Sequence, residues 1–528
     1  MKAIKLGVRH AFVFLESSFD RVFGTEGNPL YHTGALGFFF YWIVLVSGVY
    51  VYFFFDTSVS GAFSSVERMT FDQWYAGGVM RSLHRYASDA LVLVMMVHIL
   101  REFAMDRLRG PRAFTWITGI PIIWLVYAAG ITGYWLVWDQ LAQYVAVVTT
   151  EWLDSLPIFA EPIARNFLEP TALNDRFFTL MVFLHIALPI MMVFVLWVHL
   201  QRVAKPRYNP PRVMAWMTMG TLLVLSLIKP ALSHPPADLA MVPSVIHLDW
   251  FYLAVYPLAD KWSGLGSWGL VIGLSLILTV LPWLPVLKRV PVAVVRLDYC
   301  NGCTRCANDC PYTAITMVPR SDGKPFEREA VVDPNLCVSC GICVGSCPTA
   351  SPFRTTAELP VGIDLPGFTL RDTRQQAWQA AMALAGADTR VLVFGCDHGI
   401  KAAALSGVGV ATVSLPCIAM LPPSFIDYAL SRNLADGVFL TGCQGSECHY
   451  RFGVDWTELR LAGKRDPYLR DRVARERLAN RWAGASETRS VASDLAAFVD
   501  RLKAMPRLGP AQLPPSATAT KPIGEVVS

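Results

Sequence analysis

Six segments of this chain, about 34 to 55, 79 to 101, 113 to 138, 178 to 200, 213 to 231 and 266 to 287, are long and apolar enough to cross a bilayer. Lipid leaves no water to satisfy backbone N–H and C=O groups, so only helices or closed barrels span it, and runs of this length predict a bundle of six transmembrane helices. The composition agrees, with 53% of the 528 residues hydrophobic and 16% charged, the bias lying before residue 290. The formal charge of +5 is small and gives no footprint for nucleic acid. Residues 1 to 30 place Lys2, Lys5 and Arg9 before a short apolar patch, without a long h-region or a cleavage site. That pattern predicts an interfacial amphipathic helix rather than a signal peptide.

Basic residues set the orientation. Arg101, Arg107, Arg109 and Arg112 follow the second segment, Arg202, Lys205, Arg207 and Arg212 the fourth, and Lys288, Arg289 and Arg296 the sixth. The largest loop between them is acidic, with Asp139, Glu151, Asp154, Glu161 and Glu169. The positive-inside rule then puts both termini, and everything after residue 290, in the cytoplasm.

Four histidines fall inside these segments: His84 and His98 in the second, His185 and His199 in the fourth, each pair 14 residues apart. At 1.5 Å per residue the spacing is about 21 Å and nearly a whole number of turns, so both rings of a pair share one helix face. The two segments run in the same direction, so depth pairs His84 with His185 near the outer face and His98 with His199 near the cytoplasm. Two stacked bis-histidine haem sites are the expectation. Four histidines satisfied separately by helix packing would have no reason to repeat one spacing. Gly34 and Gly48, and Gly119 and Gly133, repeat it too; they leave room for a macrocycle against helix backbone, or serve helix packing.

Through Arg81-Ser82-Leu83-His84, His98-Ile99-Leu100-Arg101, the run from Gly133 to Gln140 and His185-Ile186-Ala187-Leu188-Pro189, residues 31 to 290 resemble the cytochrome b of bc-type quinol-oxidising complexes. The resemblance implies a bacterial cytoplasmic (inner) membrane protein with two haem b, Arg81 and Arg101 pairing with propionates, and a homodimer. His247-Leu248-Asp249-Trp250-Phe251-Tyr252 resembles the Pro-Glu-Trp-Tyr segment of that family's outer quinol site, with Asp249 in place of the proton-accepting Glu. It implies a quinone site using Asp249, with His247, Tyr252 or Tyr144 nearby. Leu248 replaces the proline, the acid is one methylene shorter, and the full family has eight spans; a solvated or N-capping Asp249 remains open. For an inner quinone site Arg9, His10 and His32 are the polar residues at hand, and nothing selects among them.

After the last span stand two identical cysteine strings, Cys300, Cys303, Cys306 and Cys310 before Pro311, and Cys337, Cys340, Cys343 and Cys347 before Pro348. The spacing C-x2-C-x2-C-x3-C-P suits two [4Fe-4S] clusters, the fourth Cys of each string reaching across to the other cluster. Zinc prefers C-x2-C pairs, and thiolates kept for iron imply a reducing compartment rather than disulfides. The stretch 291 to 355 resembles a bacterial-type two-cluster ferredoxin, an α+β fold.

Residues 356 to 387 are expected to be a linker. From 388 to 506 a small α/β domain is expected, with strands Val391–Cys396, Thr412–Leu415 and Gly437–Thr441 and helices near Ala402–Ser406 and Pro423–Arg432. The tail 507 to 528, rich in Pro, Ala, Ser and Thr, is expected to be disordered. Cys396, Cys417, Cys443 and Cys448 fall at or beside strand ends, which share one edge of a doubly wound sheet. Four thiols there suit a third iron-sulfur cluster, with structural zinc or free thiols as alternatives. The run from Gly442 to Tyr450 resembles the delta subunit of methyl-viologen-reducing hydrogenase, and the resemblance implies a [2Fe-2S] cluster and a heterodisulfide-reductase-like flavoprotein partner. Cys396-Asp397-His398-Gly399 departs from that family, so His398 or His449 stays open as a ligand. A c-type haem is excluded, since Cys443 and Cys448 lie too far apart for C-x2-C-H.

Every part carries electrons, and no nucleotide or flavin motif is present. The expected function is the membrane subunit of a quinone-coupled oxidoreductase, relaying electrons between a cytoplasmic flavoprotein or dehydrogenase and the quinone pool. The alternative is a haem-bearing membrane anchor without a quinone site. The order of carriers is the same for either direction of flow.

Overall fold

A computed structural model of the chain describes residues 2–158, 161–168, 173–201, 208–242, 245–284, 291–354, 359–445, 448–484 and 487–513. It forms two compact units, Met1–Phe12 with Val22–Leu287, and Val13–Arg21 with Lys288–Ser528. The expected basic residues Arg202, Lys205, Arg207, Lys288 and Arg289, and the acidic Glu169, lie outside the described residues.

Helix α1 (Lys2–Gly27) bends at Gly24, which has φ 70°. The first unit continues with α2 (Thr33–Phe54), α3 (Ala62–Phe71), α4 (Val79–Ala104), α5 (Ala113–Val137), α6 (Gln140–Asp154), α7 (Arg165–Leu168), α8 (Asp175–Gln201), α9 (Arg212–Ile228), α10 (Tyr256–Lys261) and α11 (Gly264–Val280). Among the described residues four helical stretches are long and apolar enough to span a membrane: Pro29–Phe54, Ala113–Val137, Asp175–Gln201 and Gly264–Trp283. Two of the six expected spans therefore fall short on composition or length. Helix α4 has 26 residues but carries Arg81, Arg85, Asp89, Arg101 and Glu102, and α9 has 17, about 26 Å against a hydrocarbon core of about 30 Å. Three of these charges are met within the protein: Arg101 is buried, and Arg81 and Arg85 meet Glu67 and Asp249. Helix α2 packs on α4 and α5 on α8, so each glycine-bearing helix lies against a histidine-bearing one.

In the second unit β1 (Val294–Val295) precedes the first cysteine string, and α12 (Arg305–Asp309) fills the gap before Cys310. The hairpin of β2 (Ile315–Pro319) and β3 (Arg328–Val332), in register Ile315↔Val332 to Pro319↔Arg328, leads to the second string with α13 (Ile342–Ser346). Both strings turn through left-handed backbone on either side of their second cysteine, at Gly302 and Thr304 and at Ser339 and Gly341, which curls each loop around a centre.

The expected linker is folded from Leu359 onward. Strand β4 (Ile363–Asp364) pairs with β1, and α14 (Leu370–Ala383) starts at a capping box of Thr369 and Asp372 and buries Leu370, Ala377, Trp378 and Ala381 on one face. Strands β5 (Val391–Cys396), β6 (Val410–Leu415), β7 (Gly437–Gly442) and β8 (Leu478–Trp482) form one parallel sheet in the order β6-β5-β7-β8. Helices α15 (Pro423–Ser431), α16 (Gly453–Leu461) and α17 (Thr488–Lys503) complete the domain. The expected helix near Ala402 is a single 3-10 turn, Ala402–Leu405. The tail is ordered further than expected: Leu508 and Gly509 accept from Arg390, and the Leu508 N–H donates to Asp436. Residues 514–528 lie outside the described residues.

Candidate redox centres

The four membrane histidines stand in one repeated arrangement. A Cβ added to Gly48 would come within 2.8 Å of His84 Cε1, and one added to Gly133 within 2.9 Å of His185 Cε1; at Gly34 and Gly119 the gaps to His98 and His199 are 3.4 and 3.6 Å. Each glycine of the 14-residue series thus faces one imidazole, and at Gly48 and Gly133 nothing larger fits. The residue before each glycine then holds the ring: Nδ1 meets Ser47 Oγ (3.3 Å) in His84, Thr132 Oγ1 (3.2 Å) in His185, Thr33 Oγ1 (3.1 Å) in His98 and Thr118 Oγ1 (3.1 Å) in His199. Val44 O and Ala129 O reinforce His84 and His185 at 2.9 and 3.0 Å. With Nδ1 occupied, Nε2 is the nitrogen free to bind a metal, the second-shell device that fixes tautomer and ring plane. Sequence reasoning missed these hydroxyls, although Thr-Gly or Ser-Gly recurs four times at the same spacing.

The rings of His84 and His185 lie 6.3 Å apart, centroid to centroid. Metal–imidazole bonds of about 2.0–2.1 Å on opposite sides of one ion give nearly that separation, so the pair fits a bis-histidine haem. His98 and His199 take the same places one station along α4 and α8, against Gly34 and Gly119. The arginines are engaged within the protein. Arg81 donates to Thr70 and to Ser233 (2.7 Å) beside Glu67 (3.5 Å), and Arg101 lies over the Tyr31 ring at 5.4 Å.

Asp249 is neither solvated nor only a cap. It pairs with Arg85, accepts from Tyr134 at 3.0 Å, and also takes the Phe251 N–H at 2.8 Å. Arg85 stacks on Tyr134 at 4.6 Å and reaches Asp89 at 3.6 Å. Tyr252 is buried, shares a hydrogen bond of 2.8 Å with Ser88, and packs edge-on against Tyr127 and Tyr134. Asp249 and Tyr252 therefore meet at one polar cluster, where Arg85, Ser88, Asp89 and Tyr134 were not foreseen. His247 is exposed, and Tyr144 packs instead against Tyr256, at 6.2 Å. Arg9 and His10 are exposed, and His32 is buried with its Nε2 3.0 Å from Glu26 O.

In the second unit the two strings pack together: Cys306, Cys343 and Cys347 belong to one apolar cluster, against which Cys300, Cys310 and Cys337 also pack, and α12 lies on α13. The eight thiols fit the cubane reading in number and spacing. At the C-terminal edge of the parallel sheet, Cys396, Cys417, Cys443 and Cys448 are all buried. Cys396 and Cys443 are 3.6 Å apart, and the sulfurs of Cys417 and Cys448 both stand over Gly453, where a Cβ would strike the first and crowd the second. Four buried thiols, with a glycine clearing the space between helix and sulfur, fit a small cluster. His398 and His449 stack on each other, 3.6 Å apart and nearly parallel, with Tyr450 edge-on to both.

Three family models match the chain: Cytochrome b/b6/petB over residues 21–207, 4Fe-4S dicluster domain over 299–351 and methyl-viologen-reducing hydrogenase, delta subunit, over 391–506. Cytochrome b6 of Porphyra purpurea is 28% identical over 188 residues, 35% of this chain and 86% of its own length. A solved structure, "Hyperthermophilic respiratory Complex III", is 20% identical, with a TM-score of 0.39, covering 48% of this chain and 75% of its own. The chain is a membrane electron-transfer subunit. It carries a cytochrome b/b6 segment, a 4Fe-4S dicluster segment and a hydrogenase delta-subunit segment, in that order. The first implies haem b and the second iron-sulfur clusters.

Proposed function

We propose that this protein relays electrons between a cytoplasmic redox enzyme, a flavoprotein or dehydrogenase, and the quinone pool. In this reading it spans the membrane six times, holds one b haem between His84 and His185 and another between His98 and His199, two [4Fe-4S] clusters on the paired strings, and a [2Fe-2S] cluster on Cys396, Cys417, Cys443 and Cys448. Bound haem and iron-sulfur clusters supply one-electron redox chemistry. The residues do the rest. Ser47, Thr132, Thr33 and Thr118 orient the imidazoles and raise their basicity through Nδ1. Asp249, steadied by Arg85 and Tyr134, is the carboxylate that takes or returns the proton accompanying quinone turnover, with the Tyr252 hydroxyl beside it. The observation that carries the reading is the fourfold repeat of glycine, hydroxyl and histidine.

The test is purification from membranes with cofactors retained, followed by haem and iron analysis and mixing with a short-chain quinone analogue. Two b haems, rapid haem–quinone electron exchange and at least a tenfold loss in Asp249→Asn are expected. Exchange unchanged both in Asp249→Asn and with a quinone-site inhibitor would leave the anchor reading in its place.

A further inference from the structure

The two cubane centres of the second unit are not equivalent toward the third thiol site. Cys340, of the second string, shares one apolar cluster with Cys417 of the third site, together with Ile342 and Ala419 and flanked by Val338, Tyr450 and Trp456. The turn after Cys417, Ile418–Met420, lies directly on α13: a Cβ on Gly345 would overlap Ala419 O, and Met420 crowds Gly341. In the first string Cys303 is exposed. The backbone there is covered from within its own segment, Arg320 reaching Cys300 O at 2.6 Å and Arg328 O standing against Gly302.

One helix locks the closer junction. Along α16, Gly453 lies under the sulfurs of Cys417 and Cys448, Trp456 Nε1 donates to Asp309 O at 3.1 Å, and Arg460 follows one turn on. The Arg460 guanidinium is buried and donates to Ala419 O at 2.9 Å, Asp309 Oδ2 at 2.5 Å and Ser346 Oγ at 2.5 Å. Asp309 and Ser346 each immediately precede the crossing cysteine of their string, Cys310 and Cys347. A single side chain therefore ties the Cys417 loop to both strings. A buried guanidinium held through both terminal nitrogens is costly to move, because every shifted donor would leave an uncompensated charge.

We propose that the third site exchanges electrons with the dicluster segment at Cys340 and Cys417. The centre on Cys337, Cys340, Cys343 and Cys310 is then the inner member of the relay, and the centre on Cys300, Cys303, Cys306 and Cys347, opening at Cys303, faces the next carrier. Arg460 is the positioning residue of the junction. One electron crosses per event; the centre at one side is oxidised by one as the other is reduced by one, and no bond is made or broken. The steep fall of tunnelling with distance is what makes a side-chain contact between ligands decisive. The inference rests on the proposed cluster content of these twelve cysteines.

Stepwise reduction of the full-length, cofactor-loaded protein, followed by electron paramagnetic resonance, tests it. The relaxation of the third centre's signal should quicken as a cubane becomes reduced. That enhancement should persist in Cys303→Ala and vanish in Cys340→Ala; the reverse pattern overturns the proposal. Arg460→Met, which keeps all twelve cysteines, should retain iron and sulfide while weakening the enhancement and slowing exchange tenfold or more, with partial rescue in Arg460→Lys. Unchanged enhancement in Arg460→Met removes the positioning role. A wild-type protein with zinc and no third signal would instead overturn the cluster reading, and this inference with it.

Discussion

The membrane unit and the cysteine-rich unit solve the same problem, holding a metal ligand still, by opposite means. Around the histidines the supports are neutral: a serine or threonine hydroxyl, two backbone carbonyls and a glycine on the facing helix. In the cysteine-rich unit they are ionic, with Arg460 and Arg465 closing on Asp309 beside Cys310, and, away from the thiols, Arg390 on Asp436 and Arg470 and Arg472 on Asp427. The difference follows from solvent. A charge placed against lipid has no water to return to, whereas a globular domain has its rim in water and can bury a guanidinium if its partners are complete. The lesson is that helical register does in the first unit what ion pairs do in the second.

The largest test of that contrast removes a ligand. His185→Leu should abolish the outer haem and halve the haem b content while iron bound to sulfide is unchanged, measured by haemochrome and iron analysis. Loss of both haems together would mean that the two sites are not independent stations on α4 and α8. The next test concerns clearance. Gly48→Ala should displace His84, since its Cβ would fall 2.8 Å from Cε1, whereas Gly34→Ala, at 3.4 Å from His98, should be tolerated. The optical spectrum should therefore lose the outer haem in the first variant and keep both in the second.

For the ionic unit, Arg390→Met should cost about 3–5 kcal/mol, because Asp436 is left buried without its partner. Burial pushes the Asp436 carboxyl up, and the Arg390 hydrogen bonds outweigh it and hold the group below the ordinary carboxylate range. A depressed carboxyl stabilises the fold above its unfolded pKa, about 3.9, and that contribution is lost as pH falls through the lower folded value. Chemical unfolding of the intact chain at pH 7 and below 4 should show the gap between wild type and Arg390→Met narrowing in acid.

What was legible in the sequence tracks this division. The histidines, their pairing and their glycines could be read because a helix converts a spacing of 14 into a shared face. Both cysteine strings could be found because each keeps its spacing within one short stretch of chain. Arg460, Asp309 and Trp456 could not, since they are brought together across about 150 residues by the sheet and α16, and no local period announces such contacts. Helix α14 was announced by Thr369 and Asp372, but the surrounding polar residues masked its narrow apolar face. The Arg85–Asp249 pair spans 164 positions and was likewise hidden, although Asp249 itself was visible in its motif.

The smallest test asks whether the neutral supports tune as well as hold. Thr33→Val keeps shape and removes the hydroxyl from His98 Nδ1, whose oxygen stands 3.1 Å away. Losing one such hydrogen bond is worth about 0.5–1.5 kcal/mol, which for a one-electron couple is about 20–65 mV by the tenfold-per-59-mV relation. The bond makes the imidazole a stronger donor and so favours the oxidised metal; without it the inner haem should become easier to reduce, its midpoint rising by that amount. Ser47→Ala should shift the outer haem less, because Val44 O still accepts from His84 at 2.9 Å. Redox titration of both variants separates the two effects. Equal shifts would show that the carbonyl contributes nothing, and the membrane unit would then rely on hydroxyls alone.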